Sequence, residues 1–93
     1  MSAVKAVKAV VRGQVQGVGY RQATRVTARS LGLHGWVRNT REGTVELFAQ
    51  GESGAVDRLI DWLWLGPTGA GVAGVESDVV PTDTQLHDFF IRQ

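Results

Sequence analysis

The sequence predicts an α+β fold, a split β-α-β sandwich in which an antiparallel sheet carries two helices on one face. Three observations lead there. Stretches of period two and period 3.6 follow one another in the order β-α-β-β-α-β. The second and third strands are separated by a turn too short for a crossover, so they form an antiparallel hairpin. Right-handed crossovers then put both helices on one side, with strand order 4-1-3-2. A chain of 93 residues has room for a single domain, 1–93.

Residues 4–12 alternate, with Val7, Ala9 and Val11 on one face and Lys8, Val10 and Arg12 on the other. From Tyr20 to Leu31 the period lengthens, placing Ala23, Val26, Thr27 and Leu31 on a helical stripe that Gly32 terminates. Leu33 to Asn39 is the second strand, Arg41-Glu42-Gly43 the turn, and Thr44 to Ala49 the third strand. In that third strand Val45, Leu47 and Ala49 face the core, while Glu46 and Phe48 face away. Ser53 is the expected cap of a second helix whose stripe is Val56, Leu59, Ile60 and Leu63, bordered by Trp62 and Trp64 and ended by Gly66-Pro67. The glycine-rich stretch 66–74 reads as a loop before a strand at Val75 to Val80. Phe89-Phe90-Ile91 reads as a short additional C-terminal strand whose neighbour the pattern does not assign.

Composition narrows the chemistry. The chain has no cysteine, so disulfides, zinc–thiolate sites and thiol nucleophiles are excluded. No signal peptide or membrane span is expected, and with the absent cysteines this points to a cytoplasmic protein that does not engage membranes. The net charge of +1 predicts no bulk attraction to nucleic acid. The cations Lys5, Lys8, Arg12, Arg21, Arg25, Arg29, Arg38 and Arg41 all precede or adjoin the first acid, Glu42, which suits a small anionic ligand. His34 and His87 lack metal-ligand spacing, and Asp57 and Asp61 read as a solvated helix face, so no metal or other cofactor is expected.

The segment Gly13-Gln14-Val15-Gln16-Gly17-Val18-Gly19-Tyr20-Arg21 leaves a strand, crosses two closely spaced glycines and delivers an arginine at a helix start. Glycines let successive N–H groups turn inward, the helix start adds unpaired donors, and a guanidinium fits phosphate oxygens. A cation at a helix N-terminus is mildly unfavourable, a conflict that a bound anion removes. The dinucleotide fingerprint does not fit, because Gln22 occupies the third glycine position. Strands one and two run parallel in the predicted order, so Asn39 at the end of the second lies on the same sheet edge as the loop. Its amide can hold a water. From these residues alone, a plain tight turn and an Asx-type hairpin turn remain open alternatives.

With Gly35-Trp36-Val37-Arg38-Asn39-Thr40, Gly43-Thr44-Val45-Glu46 and Ala49-Gln50-Gly51 added, the chain resembles the acylphosphatase family along essentially its whole length. The resemblance implies a ferredoxin-like fold and metal-free hydrolysis of the carboxyl–phosphate bond. It assigns Arg21 to phosphate binding, Asn39 to orienting the attacking water, and the loop Gln16, Gly17, Val18, Gly19 and Tyr20 to a backbone cradle. Thr40 becomes a supporting hydroxyl beside Asn39. The implied partners are a small-molecule acyl phosphate, with inorganic phosphate as product or inhibitor, and the economical expectation is a monomer. At 68–74 the chain departs from the pattern: Gly71 stands where the resemblance calls for a basic residue before Val72. A catalytically weak binding domain is the main alternative. An RNA-binding module with Phe48 and Phe90 on the open sheet face is a second, disfavoured by Glu46 in that platform and by a first strand without an outward aromatic.

Overall fold

In a computed structural model, which describes residues 3–93, the chain forms β1 (Val4–Gln14), α1 (Tyr20–Ser30), β2 (His34–Asn39), β3 (Val45–Glu52), α2 (Ser53–Leu65), β4 (Gly71–Val80) and β5 (Phe89–Ile91). The sheet order is β4-β1-β3-β2-β5. The first four strands are antiparallel neighbours in the expected 4-1-3-2 order. The fifth extends the sheet beyond β2 and pairs with it in parallel, Val37 opposite Ile91, so the sheet is mixed at that edge.

Alternation explains the core. Val7, Ala9 and Val11 of β1, Val37 of β2, and Val45, Leu47 and Ala49 of β3 are buried beneath α1 and α2. From α2 the buried residues are Ala55, Val56, Leu59 and Leu63, with Ile60 at the border. The other sheet face is wet but not bare. Phe48 stacks on Trp36 with ring centroids 6.5 Å apart, and the Arg92 guanidinium lies 4.4 Å from the Trp36 ring.

Four local expectations need correction. The buried stripe of α1 is Tyr20, Thr24 and Ala28, not Ala23, Val26 and Thr27; Val26 is 57% exposed. The helix phase is set by the Tyr20 ring, and Thr24 is tolerated inside because its hydroxyl donates to the Tyr20 carbonyl at 2.8 Å. The cap of α2 is Glu52, whose carboxylate accepts from the Gly54 amide, rather than Ser53. Trp62 packs near Tyr20, ring centroids 5.7 Å apart, but Trp64 is half exposed and is not among the described hydrophobics that pack against the core. Finally, β4 begins at Gly71, inside the stretch expected to be loop. There Gly13 takes φ +122°, and a Cβ on it would stand 2.2 Å from the Gly71 carbonyl oxygen. The close approach of two backbones, impossible with a side chain at 13, carries the pairing of β1 and β4 through a bulge at Arg12/Gly13.

The connection 81–88 runs past the end of the sheet farthest from the glycine loop. Gln50 holds it by donating from Nε2 to the Asp83 carbonyl at 2.6 Å and accepting the Asp83 amide at 2.7 Å. The Asp88 carboxyl is held below its ordinary range, first by the Phe89 amide and then by Arg29. Arg29 also donates to the Phe89 carbonyl at 3.0 Å, tying β5 to α1.

Candidate active site

Residues 15–19 link β1 to α1. Val15 is buried and Val18 packs on the core, whereas Gly17 and Gly19 are exposed with φ of +79° and +75°. Gly19 caps α1 in the left-handed conformation and offers no side-chain acceptor to the helix amides. Among the described residues, no protein acceptor takes the amides of residues 16–20. The first turn of α1 also carries no acid. The result is a run of free donors at the positive end of a helix, with no protein acceptor for them among the described residues.

Arg21 stands at this rim, and among the described residues it forms no ion pair. Across from it, Asn39 ends β2. Both line one cavity of about 200 Å³, together with Gly17, Gly19, Tyr20 and Gln22. The convergence follows from topology: β1 and β2 are both antiparallel to β3 and so parallel to each other, and their C-terminal ends share an edge. The Asn39 side-chain oxygen is buried and has no donor among the described residues. Leaving such an acceptor unpaired costs about 1–3 kcal/mol.

The remaining expected site residues serve from behind. The Tyr20 ring is buried, and its hydroxyl donates to the Leu63 carbonyl at 2.6 Å; burial pushes the phenol above its ordinary range. Tyr20 therefore meets the cavity with its backbone and anchors the helix start with its side chain. The Gln16 side chain points to the β2–β3 hairpin, not into the cavity, donating to the carbonyls of Thr40 and Thr44. The Thr40 hydroxyl lies 2.6 Å from that of Thr44 and is engaged within the hairpin. Two aliphatic walls were not anticipated, Val15 at the floor and Ile91 from β5. Nothing in the periodicity marks Ile91, because its place depends on which edge the fifth strand takes.

The acylphosphatase family profile matches residues 7–91. The chain belongs to the acylphosphatase family. An acylphosphatase of Pseudomonas paraeruginosa is 53% identical over 85 residues, spanning 91% of this chain and 92% of the relative. One from Acaryochloris marina is 56% identical over 71 residues, 76% of each chain. Among solved structures, an acylphosphatase from Coxiella burnetii superposes with a TM-score of 0.92 at 38% identity, covering 96% of this chain and 93% of that one.

Other polar groups of this acylphosphatase-family chain lie elsewhere. The crossover brings His34 and His87 to 6.2 Å between ring centroids at the opposite end of the sheet, a proximity their sequence separation conceals. The His34 ring instead pairs with the Leu86 carbonyl at 3.1 Å, and among the described residues no group of three His, Cys, Asp or Glu could hold a metal ion. Asp57 pairs with Lys5 at 2.6 Å on the surface. A cavity of about 430 Å³ on the far side of the hairpin contains Arg12, Arg38 and Arg41, but Arg38 is neutralised by Glu46 at 2.8 Å and Arg12 faces Glu76 at 3.6 Å. Among the described residues, no helix is long and apolar enough to cross a membrane.

Proposed function

We propose that this protein hydrolyses acyl phosphates to a carboxylate and inorganic phosphate, without a metal, using Arg21 and Asn39 on either side of the phosphoryl group. It is an acylphosphatase-type hydrolase. The observation that carries the reading is the joint presence, in one cavity, of the glycine-loop donors, Arg21 and the Asn39 oxygen, the last two without a partner among the described residues. The amides of residues 16–20 and the Arg21 guanidinium hold the phosphoryl oxygens and stabilise the charge that builds on them. The Asn39 side-chain oxygen accepts a hydrogen bond from a water and holds it in line with the leaving carboxylate. The water oxygen bonds to phosphorus as the phosphorus–carboxylate bond breaks, the carboxylate leaves with the bonding pair, and the water proton passes to a phosphoryl oxygen.

No lining side chain is a carboxylate or an imidazole, which supports a mechanism without a protein general base. A carboxylate is a good leaving group, and the phosphate can serve as proton acceptor. The reading takes the acyl phosphate as the working partner of a monomeric, cytoplasmic protein that engages neither nucleic acid nor membranes, with inorganic phosphate as product and inhibitor.

The division of roles is testable by phosphate titration. Arg21→Ala is expected to lose phosphate binding and turnover together. Asn39→Ala is expected to lose turnover by about 10²-fold or more while keeping phosphate binding. Equal loss of binding in both variants contradicts the division.

A further inference from the structure

The side chain of Gln16 belongs to the phosphate loop yet serves the opposite wall. Its Nε2 donates both protons, to the Thr40 carbonyl at 3.0 Å and to the Thr44 carbonyl at 2.9 Å. The bonds span 24 and 28 residues of chain. They end on a stiff element, since the Thr44 carbonyl also takes the Thr40 amide at 2.9 Å and the two threonine hydroxyls meet at 2.6 Å. We infer that Gln16 is a positioning residue, whose side-chain amide sets the separation between the phosphate cradle and the water held by Asn39. The inference rests on the roles of Arg21 and Asn39 given above.

The geometry supports this in two ways. Gln16 immediately precedes Gly17 of the phosphate cradle and Thr40 immediately follows Asn39, so one end of the strut lies in the cradle and the other beside the residue that holds the water. The loop is otherwise untethered on that side: β1 ends at Gln14, β3 separates β1 from β2, and among the described residues no backbone hydrogen bond joins residues 16–19 to the hairpin. A loop with two glycines at positive φ has soft backbone angles. Phosphate can still gather that loop around itself through the amides and Arg21, because this needs only local order. In-line attack needs the loop and Asn39 in register, and an error of about 1 Å there costs on the order of 10²-fold in rate.

Gln16→Met keeps the length and removes both donors. Its kcat on benzoyl phosphate is expected to fall about 10- to 100-fold, with the inhibition constant for inorganic phosphate within about 3-fold of the parent. Introduced into Asn39→Ala, the same change is expected to cost less than about 3-fold, because no oriented water remains to be misplaced. Gln16→Asn, which keeps the donors but cannot reach, should repeat the pattern and replaces Gln16→Met if that variant does not fold. Equal losses in the two backgrounds, or phosphate affinity falling in step with kcat, would overturn the proposal. A folded parent that binds phosphate but leaves benzoyl phosphate intact would instead overturn the underlying site reading, and the strut with it.

Discussion

Replacing Tyr20 by Phe removes one oxygen from the core and leaves a carbonyl stranded. The Tyr20 hydroxyl donates to the Leu63 carbonyl at 2.6 Å, and both groups are buried. In an uninterrupted helix the amide four residues on would take that carbonyl, but position 67 is a proline and has no N–H. Tyr20 thus supplies the donor that Pro67 lacks and ties the start of α1 to the end of α2. Losing it should destabilise the protein by about 1–3 kcal/mol, since the carbonyl stays buried without a partner. For a domain of this size each kcal/mol moves the melting temperature by about 4–8 °C, so a fall of about 4–24 °C is expected. The same hydroxyl sets a pH signature. The phenol ionises near pH 10 when unfolded, and burial raises its value in the folded chain. Its contribution is fully present below about pH 10 and is lost as pH rises further, because only the unfolded state then releases the proton. Thermal melts of parent and Tyr20→Phe from pH 7 to 11 read both effects. The parent should lose stability above about pH 10 and the variant should lose this component. Equal melting temperatures at pH 7, or identical alkaline limbs, would refute the reasoning.

Two further predictions separate backbone and packing effects. Gly19→Ala places a side chain at φ +75° with open space around it, as does Gly32→Ala at φ +72°. Both should cost about 1–2 kcal/mol of backbone strain in thermal melts, but only Gly19→Ala should weaken inhibition by inorganic phosphate. On α1, Val26→Ser should change stability by less than about 0.5 kcal/mol, while Ala28→Leu, at a fully buried position, should cost about 1–3 kcal/mol through overpacking in denaturant titrations.

Much of the architecture was legible because each inner strand turns one alternating apolar face to the core and α2 has one clean stripe. Val7, Ala9, Val11, Val45, Leu47 and Leu59 announce the core by spacing alone. The order of the four long strands followed from the short hairpin and crossover handedness, and that order brought Arg21 and Asn39 to one edge. What escaped was set by single contacts. The phase of α1 turns on Thr24, polar in pattern but satisfied inside by the Tyr20 carbonyl. The early start of β4 turns on two glycine backbones meeting at Gly13 and Gly71, where composition suggested only loop. The place of β5, and with it Ile91, depends on tertiary bonds such as Arg29 to the Phe89 carbonyl. The direction of the Gln16 side chain is likewise decided across 24 residues, beyond the reach of any local period.

The most direct test of the central claim is hydrolysis of benzoyl phosphate by the parent and by Asn39→Ala, with a metal chelator present throughout. The account predicts chelator-resistant turnover in the parent and a loss of about 10²-fold or more in the variant, with phosphate still bound. A variant as active as the parent, or a parent silenced by the chelator, would contradict it.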